Sequence, residues 1–376
     1  MVADHDDAPF ITACLGTKAQ YIKTAPLLRL LTARELSYRL VDTGQHGAIT
    51  GGLREELGVK VPDVSLGSTN VDSILGGLLW GGRWLAWITF RPGWVRQTLF
   101  AGRRGVCLVH GDTVSTLLAT LAARRAGQRV ALIEAGLRSH NLLRPFPEEI
   151  VRSICMKLGA YLFAPSADAL DNMRRMRLAG LLVDLGQNTN VEALYYSLER
   201  VPSPRRDPYA VVTIHRLETI TRRERLEHVV SLVERISDRL DVCFVMHPPT
   251  EKKLRQFDLL SRLSDCERVE VLPLLEHAGF VGLVAGAECV VTDGGSIQEE
   301  TAYLDVPCLV MRTETERPEG LGDNVRLSGF DSGVDREFLE YYRRYRRGSR
   351  TASAKPSERM LEVILREERQ VSERAG

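Results

Sequence analysis

Residues 106–136 read VCLVHGDTVSTLLATLAARRAGQRVALIEAG, and their pattern decides the fold. VCLVHG and RVALIEAG are short, apolar and rich in β-branched residues, as strands buried on both faces must be. Between them, TVSTLLATLAARRAG has helical spacing and ends in glycine. Strand, helix and strand in so short a span read as a βαβ unit with parallel strands. Polar groups gather where each strand stops: His110, Gly111, Asp112 and Thr113 after the first, and Glu134, Ala135 and Gly136 at the end of the second. In open parallel sheets, ligands bind outside these carboxyl ends.

The same grammar extends in both directions. Toward the N-terminus lie ITACLG (11–16) and RLVDTG (39–44), and beyond lie YLFAPS (161–166) and LLVDLG (181–186). Six more runs follow: AVVTIH (210–215), VCFVMHP (242–248), VEVLP (269–273), CVVTDGG (289–295), PCLVMR (307–312) and VRLSG (325–329). Twelve strands exceed one comfortable doubly wound sheet. A Pro- and Arg-rich stretch, LERVPSPRRDPY (198–209), divides them six and six. The expected fold class is α/β, with two Rossmann-like domains of parallel strands facing a shared cleft. The expected bounds are 1–197, 198–350, and a charged amphipathic terminal helix over 351–376 that packs back toward the first domain.

Composition sets limits. The 376 residues carry 50 basic and 49 acidic side chains, so no bulk field drives the chain toward nucleic acid, and no nucleic-acid partner is expected. The basic run near REFLEYYRRYRRGSR reads as a solvated helix face. Seven cysteines, none in a C-x-x-C pair, read as buried reduced thiols of a cytoplasmic protein, with no metal site expected. MVADHDDAPF lacks the apolar core of a secretory signal. LGGLLWGGRWLAWITF (75–90) carries Arg83 and is too short for a confident membrane span, so no stable membrane insertion is expected. All four tryptophans lie there or just after it, and Trp80, Trp84 and Trp87 share a helix face. That face reads either as core packing or as an aromatic contact stripe.

Further polar residues close the other strands. AVVTIH ends in His215 followed by Arg216, VCFVMHP carries His247, and CVVTDGG leads into Asp293, Gly294, Gly295 and Ser296. GGSIQEETAYL places a Gly-Gly turn at a helix start, where free backbone N–H groups and the helix dipole suit phosphate. GTKAQYIK offers Lys18 and Lys23 as point-charge phosphate partners. No G-x-G-x-x-G and no Walker motif is present, which argues against dinucleotide redox chemistry and NTP hydrolysis.

Together, GTKAQYIKTAPL, DTGQH, VHGDTVSTLLATLAA, IEAGLRSHNLLRPFPEEIVR, VTIHRLE, TDGGSIQEE and PCLVMRTETERPE resemble the non-hydrolysing UDP-N-acetylglucosamine 2-epimerases over residues 11–330. The resemblance implies a GT-B-type fold and a UDP-sugar substrate. It also implies a reaction without cofactor: loss of the C2 proton and of UDP gives 2-acetamidoglucal, and UDP re-adds with C2 inverted, converting UDP-GlcNAc to UDP-ManNAc. Asp112, Glu134 and Glu148 match the family's catalytic carboxylates, and His215 matches the histidine facing the leaving diphosphate. Lys18 and the Gly294–Ser296 turn would hold the same phosphates. Arg138, Arg152, His247 and Arg317 match further binding positions, Glu300 the ribose-binding carboxylate, and Phe280 an aromatic near uracil. Family habit implies a homodimer, here through the tryptophan helix near Trp80–Trp87.

Departures cluster around the phosphates. Lys18, Ala19 and Gln20 replace an Arg-Pro-Glu, Ile214 replaces a glycine, and Leu217 and Thr219 replace an arginine and an asparagine. The hydroxyl of the usual Asp-Ser-Gly-Gly has moved to Ser296. Gly47 and Ala48 stand beside His46 where bacterial members bind a second, activating UDP-GlcNAc, and that activation is not expected here. The alternatives are a hydrolysing 2-epimerase releasing UDP and ManNAc, a GT-B glycosyltransferase, and a binding protein without turnover.

Overall fold

The structure, a computed structural model, describes residues 9–45, 51–67, 74–138, 147–201, 207–315, 317–346, 348 and 354–375. Residues 46–48, where the lost activation was expected, lie outside these, as do 139–146 of the IEAGLRSHNLLRPFPEEIVR motif and 202–206 of the inter-domain stretch. Backbone contacts divide the chain into two compact units: Met1–Ala193 with Ser353–Gly376, and Leu194–Ala352. The division falls inside the helix Thr189–Leu198.

The first unit holds β1 (Phe10–Leu15), β2 (Tyr38–Asp42), β3 (Val64–Ser65), β4 (Gly105–His110), β5 (Arg129–Ile133), β6 (Tyr161–Ala164) and β7 (Leu181–Asp184). All pair in parallel, in the order β3-β2-β1-β4-β5-β6-β7. This is the doubly wound order extended by one strand. The added strand is β7; β3 has two residues, too few for a periodic signal, and the sequence reading passed over it. Every residue of β4 is buried, as expected of a central strand covered on both faces. One core cluster includes Met360, Leu361, Val363 and Ile364 from the terminal helix Pro356–Ala375, packed with Tyr21, Leu27 and Leu28.

The second core cluster favours core packing among the two readings of the tryptophan face. Trp80 and Trp84 are 6 % and 2 % exposed and pack with Phe100, Val109 and Leu118. The Trp80 indole N–H donates to the Thr43 carbonyl (3.1 Å). Trp80 and Trp84 of the helix Ile74–Phe90 are therefore core residues, and Trp87 is partly buried beside them. Three neighbouring indoles fill that core at centroid spacings of 6.3 Å.

The second unit repeats the plan with β8 (Tyr209–Thr213), β9 (Asp241–Val245), β10 (Val269–Leu272), β11 (Cys289–Thr292), β12 (Cys308–Val310) and β13 (Val325–Leu327). The order is β10-β9-β8-β11-β12-β13, again all parallel. Two Rossmann-like units, each reversing its winding beside its first strand, make up the GT-B-type α/β fold. Each reversal lies between two strands, β1 and β4 or β8 and β11, and Asp112, His215 and Asp293 follow the ends of β4, β8 and β11. The seven cysteines are unbridged thiols, six of them buried.

Candidate active site

In the first unit, the ends of β1 and β4 are tied together by Gln20. It lies in the first turn of the helix Lys18–Ala33, where Thr17 and Gln20 form a capping box. Gln20 Oε1 accepts the N–H of Gly16 (2.7 Å), and its Nε2 donates to the His110 carbonyl (2.8 Å) and to Thr113 and Thr116 Oγ1 (3.0 and 2.9 Å). A glutamate, the usual family residue here, could accept but not donate. The T-x-x-Q spacing was visible in the sequence; the reach across to β4 was not. Lys18, first residue of that helix, is exposed.

Glu134 follows β5 with φ of +64°, a left-handed backbone rare outside glycine and itself a mark of a specialised position. Lys23 Nζ and Asn188 Nδ2 each lie 2.7 Å from Glu134 Oε1, and His110 Nδ1 lies 3.8 Å from Oε2. Lys23 and Glu134 are both nearly buried, so each supplies the other's counter-charge. A Cβ built on Gly111 would lie 3.7 Å from Glu134 Oε2, which sets this carboxylate beside the end of β4.

Asp112, two residues beyond β4, is ion-paired with Arg152. Arg152 also donates to Glu149 Oε2 (3.0 Å), and Glu149 Oε1 accepts from Arg138. Glu149 is fully buried, so one carboxylate clamps two guanidiniums and one of these holds Asp112. Glu148 opens the helix Glu148–Leu158 half-buried beside it, where the N-terminal dipole favours negative charge. The sequence reading singled out Asp112, Glu134, Glu148, Lys23, Arg138 and Arg152. It passed over Glu149 and Asn188, although the Glu-Glu pair of the PFPEE stretch was a signal for the former. Asn188 had no local signal, because its partner is 54 residues away.

Gly136 closes this loop at φ +89°, and an added Cβ would lie 2.1 Å from the Ala169 carbonyl oxygen. Backbone cannot swing aside as a side chain can. Gly136→Ala is therefore expected to cost about 3 kcal/mol in stability, read by urea unfolding.

In the second unit, Asp293 bridges the ends of β8 and β11. Its Oδ1 and Oδ2 accept the backbone N–H groups of His215 and Arg216, both at 3.0 Å. His215 Nδ1 lies 3.5 Å from Asp293 Oδ1, and its ring stacks on His247 with centroids 4.7 Å apart. Gly294 is the N-cap of the helix Gly295–Leu304, and a Cβ there would lie 2.9 Å from His215 Cε1. The turn thus brings Gly294, Gly295 and Ser296 up against the imidazole, at a helix N-terminus suited to anions. In the same helix, buried Glu299 pairs with Arg317, and Glu300 is buried next to it. Gln298 Nε2 donates to the Arg317 and Glu319 carbonyls (2.9 and 3.2 Å) and fixes that loop. Phe280, on the helix His277–Ala285, packs partly buried against the unit's core.

Burial holds the His215 imidazole below its ordinary pKa; Asp293 opposes this and Arg216 reinforces it. A histidine depressed in the folded state adds stability above its unfolded pKa of about 6.5, lost as pH falls through the folded value. Its NMR titration midpoint is expected below about 6.5 and is expected to rise in Arg216→Ala. Among the described residues, no cluster of His, Cys, Asp and Glu is arranged for a metal ion, and no helix is long and apolar enough to cross a membrane.

Known proteins share this arrangement of motifs. Residues 29–332 match the family model described as UDP-N-acetylglucosamine 2-epimerase. The chain belongs to that family. A relative from Methanococcus maripaludis named UDP-N-acetylglucosamine 2-epimerase is 32% identical over 335 residues, covering 84% of this chain and 87% of the relative. The family is not uniform in substrate: a Pseudomonas aeruginosa protein named UDP-2,3-diacetamido-2,3-dideoxy-D-glucuronate 2-epimerase is 30% identical over 319 residues, 81% of this chain and 84% of that one. The solved Methanocaldococcus jannaschii UDP-GlcNAc 2-epimerase, in complex with UDP-GlcNAc and UDP, superposes with a TM-score of 0.77. That match has 27% identity and covers 94% of this chain and 99% of the other.

Proposed function

We propose that this chain interconverts UDP-GlcNAc and UDP-ManNAc by eliminating UDP and adding it back with C2 inverted. One observation carries the reading: Glu134 sits in a strained backbone, paired with buried Lys23, beside the strand end that bears Asp112. A C2 proton is a very weak acid, so the base that takes it must be fixed in place and shielded from water. As that proton leaves, the C1–O bond breaks and its electron pair goes to UDP. The carboxylates Asp112, Glu134 and Glu148 serve as base and acid in this reading. The second unit holds UDP through the Gly294–Ser296 turn and His215, with Arg317 and Glu300 in supporting roles, and Phe280 meets the uracil. Arg138 and Arg152 set the first unit's carboxylates, and Lys18 reaches the phosphates as an exposed charge.

Phosphorus NMR of a UDP-GlcNAc reaction tests the outcome. The reading expects a second pair of diphosphodiester signals, from a new intact nucleotide sugar, with UDP remaining a trace. UDP accumulating in step with free sugar would instead make the chain a hydrolysing enzyme, in which water captures the glycal.

A further inference from the structure

The helix Ile74–Phe90 has two apolar sides, and only one is buried. Trp80, Trp84 and Ile88 face the core. On the opposite side Leu79 is 67 % and Phe90 81 % exposed, with Leu85 and Ala86 also open to solvent. A helix that is apolar all round normally lies within a protein or a lipid environment. At 17 residues it is too short to span a bilayer. It packs on the next helix, Pro92–Phe100, through Trp87 and Trp94, whose ring centroids are 4.7 Å apart.

The charges of this hairpin have one sign. From Ile74 to Phe100 the hairpin contains three arginines and no acidic residue, a local charge of +3 in a protein of net +1. Arg83, Arg91 and Arg96 are all exposed. Arg83 lies over the Trp87 ring, 4.4 Å from its centroid, within the apolar surface. Exposed Leu and Phe, flanking arginines and partly buried indoles are the composition of a helix lying in a lipid interface.

We propose that this hairpin docks the enzyme on an anionic lipid surface, with Leu79, Leu85 and Phe90 entering the headgroup boundary and the arginines meeting lipid phosphates. Charge selects this occupant over a second copy of the chain. A two-fold contact brings two copies of the same patch together, and here it would gather the arginines of both copies in one interface with no acid in the segment to relieve them. An anionic surface complements the hairpin's arginines instead. The hairpin includes none of the carboxylates or phosphate-binding groups assigned above, so this docking is independent of the reaction proposed.

The test is flotation of the full chain with vesicles of phosphatidylcholine alone, or with about one-third phosphatidylglycerol. Binding is expected only to the anionic vesicles, and raising salt from about 0.1 M to about 0.5 M should weaken it severalfold. The double variant Leu79→Glu, Phe90→Glu changes two exposed side chains. It should keep its thermal midpoint and its turnover in solution, yet lose vesicle binding at least about tenfold. Absence of binding at any anionic fraction would overturn the proposal. So would a wild-type dimer that this variant turns into a monomer while vesicles fail to bind, since the face would then belong to a second copy.

Discussion

Glu134→Gln is expected to lower turnover of UDP-GlcNAc about 1000-fold, the middle of the range for loss of a positioned proton-transfer group. UDP should still bind within about threefold of wild type, since Glu134 is none of the groups proposed to hold the diphosphate. Glutamine keeps the shape and can still accept from Asn188, so the 2.7 Å contact that places the side chain is retained. It loses the negative charge, which leaves Lys23 without its counter-ion in a site where both partners were nearly buried. Glu134→Asp is the companion variant. It keeps the charge and withdraws it by one methylene from Lys23 and Asn188. If Asp restores little, placement matters as much as charge. Steady-state kinetics with calorimetric UDP titration give both numbers. A Gln variant with near wild-type turnover would remove Glu134 from the chemistry.

The second large effect belongs to Glu149. Glu149→Ala removes the carboxylate that accepts from both Arg138 and Arg152; it takes the carboxylate partner from the largely buried Arg138 and leaves Arg152 with Asp112 alone. Breaking a buried ion pair from one side costs about 3–5 kcal/mol, and here two pairs share one partner. Urea unfolding should show a loss of that order. Arg152 also holds Asp112, so the surviving folded enzyme should lose turnover more than it loses UDP affinity. Adding Arg138→Met to Glu149→Ala removes one stranded charge and should recover part of the stability. If the single variant is as stable as wild type, the clamp is not structural.

Much of this was legible in the residues because it is written locally. Buried parallel strands announce themselves as short β-branched runs, and twelve of the thirteen strands among the described residues were found that way. The thirteenth, Val64–Ser65, is too short to show a period and exists because Val41 and Asp42 offer it a ladder. Strand-end residues were legible for the same reason: a carboxylate or histidine at the last position of an apolar run stands out. Pairings across the fold did not. The sequence offers Lys23 as a phosphate ligand; its observed partner, Glu134, is 111 residues away. Asp293 showed as one more strand-end acid, and nothing local revealed that it would accept the N–H groups of His215 and Arg216. The tryptophan stripe shows the opposite limit. Its helical spacing was clear, but periodicity cannot tell which of two apolar faces the core will take, and the core took the indoles.

The central claim is that a proton leaves C2 while UDP departs. Proton NMR of the protein with UDP-GlcNAc in deuterated water measures this directly. The account predicts deuterium at C2 in both UDP-GlcNAc and the UDP-ManNAc that forms beside it. A C2 proton that survives prolonged incubation with active protein, with no UDP-ManNAc formed, would contradict it.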